Sequence, residues 1–225
     1  GKPDDIDLQL ELGRLFIDGG EFDEATKQLK QVISSDSQNG PAYKLLGTAY
    51  AMCNHEDESI RELTRASELL PEDSEVHLNL GGVFMLQDMY ESAARCFRKV
   101  VEIDPMDRLG YANLAAAYDV DKKYDEEIQV LKKILMFAPE DIELRSALST
   151  AYFNSENYDE ALNHALCVIE LDEKDPQAYC NLGSCYSAQN MVDEAVESFK
   201  KASEIDPDYS LPHTNLGSLY ATIGR

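Results

Sequence analysis

The chain has 225 residues, and its 43 Asp and Glu against 20 Lys and Arg give a formal net charge of -23 at pH 7. Such an acidic surface repels phosphate backbones and anionic lipids, which argues against a nucleic-acid-binding or membrane-surface protein. No stretch approaches the roughly 18 consecutive apolar residues of a membrane-spanning helix, and the first residues lack the pattern of a signal peptide. The apolar content of 44% is that of a folded protein.

The sequence repeats itself with a period of 34 residues. A seventh, partial repeat starts at Ser210, after six full repeats that follow one another without insertion: 6–39, 40–73, 74–107, 108–141, 142–175 and 176–209. We number the residues of each repeat as places 1 to 34. Place 7 is always Leu and place 11 always aromatic, and place 8 is small in Gly13, Gly47, Gly81, Ala115, Ser149, Gly183 and Gly217. Because these spacings of three and four share one helix face, the first half of each repeat is predicted to be an amphipathic helix.

The second half of each repeat predicts another helix. A small residue recurs at place 20, in Ala25, Ser59, Ala93, Ala161 and Ala195. Acidic residues precede it and suit the N-terminus of a helix. Four repeats then close with a helix-ending proline at place 32, namely Pro71, Pro105, Pro139 and Pro207. Glu127 interrupts the pattern at place 20. A buried carboxylate is costly, so Glu127 is expected to reach solvent, to find a partner or to loosen repeat 108–141.

The Leu, small and aromatic register covers essentially the whole chain and resembles the tetratricopeptide repeat (TPR) family. The resemblance implies an all-α fold, a right-handed superhelical solenoid of helix-turn-helix repeats that runs as one domain over residues 1–225. In that family the first helices line a concave groove, and places 2, 5, 6, 9, 12 and 13 face it. The Lys and Asn pairs with which some members hold acidic chaperone tails are absent, because the corresponding pairs are Leu10/Arg14, Lys44/Thr48 and Leu78/Gly82.

The groove places implied by the resemblance supply the predicted peptide-binding residues: Leu78, Asn79, Met85, Leu86, Leu109, Asn113, Val120, Phe153 and Asn181. The apolar side chains would provide affinity, with Met as an adaptable contact. The asparagines would hold the backbone of an extended peptide, because an amide both donates and accepts hydrogen bonds. The alternative for the apolar set is that its side chains fill gaps between repeats.

No catalytic, metal or cofactor site is predicted. The sequence has no phosphate-binding loop, nucleophile elbow or HExxH motif, and its four histidines lack metal-ligand spacing. The five cysteines are odd in number and show no CxxC spacing, which favours reduced thiols and a cytoplasmic setting.

The predicted function is therefore that of a protein–protein interaction scaffold or adaptor, and not of an enzyme. Its groove would bind an extended or helical peptide, neutral or basic, with apolar anchors. Two alternatives remain: a substrate-recruiting TPR region of a larger enzyme such as a glycosyltransferase, and a self-assembling structural TPR protein. Because the chain starts at Gly1 and its seventh repeat stops after one apolar helix, it is expected to be a piece of a longer array. The open C-terminal helix also predicts that copies of the chain can associate through its apolar face as homo-oligomers.

Overall fold

The computed structural model describes residues 3–224, with side chains from Ile6 onward, and this range folds into 13 α-helices without a β-strand. The helices are α1 (Pro3–Asp18), α2 (Phe22–Ser35), α3 (Gly40–Met52), α4 (Glu56–Leu69), α5 (Ser74–Leu86), α6 (Tyr90–Ile103), α7 (Arg108–Val120), α8 (Tyr124–Leu135), α9 (Ile142–Asn154), α10 (Tyr158–Leu171), α11 (Pro176–Ala188), α12 (Val192–Ile205) and α13 (Ser210–Thr222). Each full repeat is an odd-numbered helix followed by an even-numbered one. The prediction of an all-α solenoid of helix-turn-helix repeats is thus confirmed at the level of a helical repeat fold.

The chain divides into two compact units, Gly1–Asp121 and Lys122–Arg225. The first unit contains α1 to α7 and the second contains α8 to α13. The single continuous domain over 1–225 stays a prediction.

The small residue at place 8 makes room for the side chain at place 24 of the same repeat. A Cβ added to Gly81 would lie 2.5 Å from Cε1 of Phe97, and one added to Gly183 would lie 2.7 Å from Cδ1 of Phe199. Leu29 and Leu63 lie against Gly13 and Gly47 in the same way, so a Cβ added to these glycines would meet mainly side-chain atoms. Glycine at place 8 therefore lets a bulky side chain fill the space between the two helices of a repeat.

Serine is accepted in these tight contacts when its hydroxyl can reach a carbonyl on the other helix. The hydroxyl of Ser59 at place 20 donates to the carbonyl of Gly47 at 2.8 Å, and that of Ser149 at place 8 donates to the carbonyl of Ala161 at 2.8 Å. Both serines are fully buried. These two hydrogen bonds join the same two places in opposite directions, and they satisfy hydroxyls that would otherwise be costly to bury.

Glu127 also lies inside, because its side chain is only 6% exposed. Of the three outcomes expected for this residue, extension of the side chain into solvent is therefore the one that the structure excludes.

Aspartate or asparagine at place 34 begins the odd-numbered helices. The side-chain oxygens of Asn39, Asp73, Asp107, Asp141 and Asp175 accept hydrogen bonds from backbone N–H groups in the first turns of α3, α5, α7, α9 and α11, at distances of 2.9 to 3.3 Å. Such N-cap bonds satisfy N–H groups that have no partner within the helix. In α13 the same place is Tyr209, which makes no side-chain cap bond.

The turn between the two helices of a repeat has a left-handed residue at place 15. The first repeat and the partial seventh use Gly20 and Gly224, with φ of 75° and 73°. The other five repeats use residues with a side chain, at φ of 55° to 63°: Asn54, Asp88, Lys122, Glu156 and Asn190. This conformation brings the Cβ atom of any residue other than glycine close to the following carbonyl oxygen, and asparagine and aspartate tolerate it because their short polar side chains can hydrogen-bond locally.

Replacing Glu156 by Gly is expected to raise the free energy of unfolding by about 1 kcal/mol, because it removes the steric cost of the left-handed conformation. Urea unfolding followed by circular dichroism measures the change. Asn190→Gly is the matched control in the next repeat, and its gain should be smaller because asparagine already tolerates this conformation. Equal effects of the two substitutions, or a loss of stability in Glu156→Gly, would contradict this explanation of the turn.

Candidate peptide-binding surfaces

Seven of the nine predicted binding residues lie in the first unit, on α5 and α7. Leu86, Leu109 and Val120 are 67%, 59% and 48% exposed, so these side chains do not fill gaps between repeats. Leu78 and Met85 are half-buried, which fits either packing or binding. Peptide binding by these residues stays a prediction.

A hydrogen-bond relay fixes two of the recurring asparagines at place 6. Asn79 donates from Nδ2 to the hydroxyl of Thr48 at 3.1 Å, and that hydroxyl donates to the carbonyl of Lys44 at 2.9 Å. In the second unit, Asn215 donates to Ser184 at 3.4 Å, and Ser184 donates to the carbonyl of Cys180 at 2.9 Å. The hydroxyl always belongs to place 9 of the preceding repeat. The relay ties successive odd-numbered helices together and orients each amide.

The relay narrows the role that the sequence predicted for these amides. Because Nδ2 is used between repeats, the Oδ1 atoms of Asn79 and Asn215 are the groups best placed to receive a ligand's N–H. Asn113 has Gly82 where the hydroxyl would be, so the same relay does not form there. In the repeat before Asn181, the hydroxyl at place 9 is that of Thr150, which donates to the carbonyl of Ser146. The Nδ2 atom of Asn181 is buried and has no hydrogen-bond partner among the described residues.

Lys44 is the cation at place 5 of the second repeat, and two carboxylates hold it. Its Nζ lies 2.9 Å from Asp73 and 2.8 Å from Glu75. Burial alone would lower the pKa of Lys44, but the hydrogen bonds and charges of Glu75 and Asp73 raise it above its ordinary value. Burial likewise acts to raise the pKa of Asp73, but Lys44 and two backbone N–H groups outweigh it and lower that pKa. Lys44 is thus neutralised within the protein and offers little to an acidic ligand.

The second unit contains a cavity of about 520 Å³ where the sequence places its groove. Eight of its lining residues occupy predicted groove places of three successive repeats: Phe153, Ser184, Ser187, Ala188, Leu211, Asn215, Ser218 and Thr222. The other lining residues are Asn190, Val192, Phe199, Leu219 and Ile223, so no charged side chain lines the cavity. Tyr158 packs against Phe153 with the ring centroids 5.5 Å apart. Val192 and Ile223 lie outside the groove places, and the sequence pattern had no signal for them.

The groove places of the two units differ in charge. Those of the first unit include five acids (Asp7, Glu11, Asp18, Glu75 and Asp119) and two bases (Arg14 and Lys44). Those of the second unit include one charged residue, Glu143. The first unit therefore presents apolar side chains among carboxylates, and the second presents an uncharged cavity with hydroxyl and amide groups.

Metal-ligand clusters, thiols and histidines are the groups of the described residues that bear on catalysis. No group of three or more His, Cys, Asp or Glu in this part of the chain could hold a metal ion. Burial raises the pKa of the Cys96, Cys180 and Cys185 thiols to about 11, so these thiols stay protonated and unreactive near neutral pH. His164 stacks on Tyr152 at 5.6 Å, and its pKa is lowered, first by burial and then by the charges of nearby Arg145 and Lys132. None of the helices in the described range is long and apolar enough to span a membrane.

Comparison with known proteins agrees with this architecture. Family models described as tetratricopeptide repeat match residues 74–106 and 176–209. The chain is similar to the structure of YrrB, described as a TPR protein with an unusual peptide-binding site, with a TM-score of 0.67 and 20% identity over 83% of this chain and 96% of that one. It is similar to MamA with a TM-score of 0.66 and 22% identity, over 77% of this chain and 95% of that one.

A third similar structure is that of Naa15/Naa10 bound to HypK-THB, with a TM-score of 0.70 and 11% identity over 98% of this chain and 34% of that chain. At these identities the structures show the fold. No curated protein sequence matches the chain.

The 34-residue helix pairs and their shared contacts define a helical repeat protein, a class whose members generally act as non-catalytic binding scaffolds. Tetratricopeptide repeat models match two of the repeats and the similar structures have the same fold, which supports the resemblance of the chain to the tetratricopeptide repeat family.

Proposed function

We propose that this protein is a non-catalytic interaction scaffold that binds a peptide segment of a partner protein on the groove face of its repeats. The observation that carries the proposal is the uncharged cavity of the second unit, to which three successive repeats contribute groove residues. A cavity with apolar walls and a few fixed polar groups is the usual form of a binding site.

The chemistry of this cavity favours an uncharged peptide stretch with an apolar anchor. Phe153 and Leu211 supply apolar surface, and the Oδ1 atom of Asn215 can accept a hydrogen bond from the peptide backbone. A charged side chain would lose its hydration there without gaining an opposite charge among the lining residues. The similar fold of YrrB, described as having a peptide-binding site, supports peptides as the class of ligand.

Random peptides displayed on phage, selected on the intact chain, test the proposal. The double variant Ser187→Glu and Ser218→Glu places two carboxylates in the cavity, and we expect it to bind the selected peptides about ten-fold more weakly or worse. Asn163→Glu is the matched control, since it adds a carboxylate at an exposed position of α10 outside the cavity lining. Circular dichroism must show equal helix content in all three proteins.

The proposal fails if no peptide is enriched on the intact chain, or if the cavity variant and Asn163→Glu bind the selected peptides equally well. A cytoplasmic location and self-association through α13, in which Leu211 is 45% exposed, stay predictions.

A further inference from the structure

Three exposed apolar side chains recur at place 13 in the first unit. Met52, Leu86 and Val120 are the last residues of α3, α5 and α7, and they are 60%, 67% and 48% exposed. We call these three residues the helix-end stripe. Since each occupies the same place of consecutive repeats, the stripe follows the stacking direction of the helices of this unit.

The stripe is a feature of this unit and not of the repeat itself. The corresponding residues of the second unit are Asn154, Ala188 and Thr222, and that of the first repeat is Asp18. Packing of the repeat therefore does not require a large apolar side chain at place 13. Single exposed apolar residues are common on proteins, but three at the same place of consecutive repeats form a row, an arrangement that favours an interaction surface.

The surroundings of the stripe are acidic. Four exposed carboxylates lie close to its members in the chain, at Asp57, Asp88, Glu91 and Asp119, against one exposed cation, Lys122. Between Arg65 and Arg95, a segment that contains Leu86, the chain has no Lys or Arg and six acids: Glu68, Glu72, Asp73, Glu75, Asp88 and Glu91. Four of these acids are in ion pairs: Asp73 and Glu75 with Lys44, Glu68 with Arg65, and Glu72 with Lys99. Asp88 and Glu91, which follow Leu86 in the chain, form no ion pair with a described residue and are the charges that a basic partner would meet.

We propose that the helix-end stripe docks a segment of a partner protein that presents apolar residues flanked by Lys or Arg. This inference rests on the proposed function and specifies the ligand of the first unit. The apolar residues would cover Met52, Leu86 and Val120, while the basic residues would meet the surrounding carboxylates. Charge complementarity of this kind speeds encounter and excludes acidic partners. A second copy of the chain fits poorly, because each copy carries a net charge of -23.

Three synthetic peptides of equal length test the inference: an amphipathic peptide of Leu and Lys, a second with Ser in place of Leu, and a third with Glu in place of Lys. Fluorescence anisotropy measures the binding of each to the intact chain. We expect the Leu–Lys peptide to bind about ten-fold more tightly than either of the others. Equal binding of the Leu–Lys and Ser–Lys peptides would overturn the inference, because charge alone would then explain it.

A variant with Met52→Ser, Leu86→Ser and Val120→Ser removes the stripe. The matched control, Met106→Ser, Met136→Ser and Leu171→Ser, removes three other exposed apolar side chains, which are 63%, 80% and 45% exposed. We expect about ten-fold weaker binding of the Leu–Lys peptide to the stripe variant and little change in the control. Equal weakening in both variants, or in neither, would overturn the inference.

Sedimentation equilibrium tests the remaining alternative, in which a second copy of the chain covers the stripe. If the intact chain forms a dimer and the stripe variant does not, a second copy covers the stripe. This result would overturn the inference that a basic partner docks there. If the Leu–Lys peptide fails while random peptides still bind at the cavity of the second unit, only this inference fails. Failure of both kinds of peptide would overturn the proposed function as well.

Discussion

Replacing Phe199 by Ala is expected to lower the free energy of unfolding by about 3–5 kcal/mol, the usual cost of removing a buried aromatic ring. Phe199 is 1% exposed and lies in a core cluster with Cys180, Ala195 and Leu219. It also covers Gly183, where no side chain can fill the space that the ring leaves. Thermal and urea unfolding measure the loss.

Hydrogen exchange measures which helices lose stability in the Phe199→Ala variant. In repeat proteins each repeat is stabilised mainly by its neighbours, so amides of α11 to α13 should lose more protection than those of α3 to α6. Phe97→Ala is the matched control, because Phe97 occupies the same place of the third repeat and is 2% exposed. It should give the reverse pattern. Identical protection losses in the two variants would contradict a local role for each ring.

The neighbouring glycines Gly81 and Gly82 are expected to respond to alanine with opposite signs. Gly81→Ala should lower the free energy of unfolding by about 1–3 kcal/mol, because the new Cβ would meet the ring of Phe97 at 2.5 Å. Gly82→Ala should raise it by up to about 1 kcal/mol, because nothing lies within 4 Å of that Cβ and alanine favours the helix. Urea unfolding of the two variants beside the intact chain measures both changes.

A double-mutant cycle tests the stated cause. In a Phe97→Leu background the cost of Gly81→Ala should fall below about 1 kcal/mol, since the smaller side chain can move aside. The fourth repeat carries the same combination at these places, Ala115 and Leu131. An unchanged cost in that background would show that the ring is not what excludes a Cβ from position 81.

The fold was predictable because the 34-residue period repeats its helix signals seven times. Place 7, place 8 and place 11 mark the packed face of the first helix, and prolines such as Pro105 mark the end of the second. The N-caps at place 34 also have a sequence signal, because Asp or Asn stands one residue before α3, α5, α7, α9 and α11. The left-handed turn at place 15 has a sequence signal where the residue is Gly, Asn or Asp, but none in the two repeats with Lys122 and Glu156, which are not typical of that conformation.

The candidate site was predictable only as a set of places. The 34-residue period indicates that Leu86 and Val120 occupy the same place of successive repeats, but their exposure depends on how closely the neighbouring helices approach. The sequence could not indicate that Asn79 donates a hydrogen bond from Nδ2 to Thr48. The two residues are 31 positions apart, and the bond depends on how successive helices stack. The cavity beside Phe153 likewise arises from the packing of three repeats.

The unequal charge of the two units predicts an unequal response to ionic strength. Attraction between exposed charges is screened beyond about 10 Å at 0.1 M monovalent ions, so a basic segment at the helix-end stripe would be held less firmly as the ion concentration rises. Contacts in the uncharged cavity of the second unit would persist under the same conditions. A partner that uses both surfaces would then be released in stages, first from the first unit.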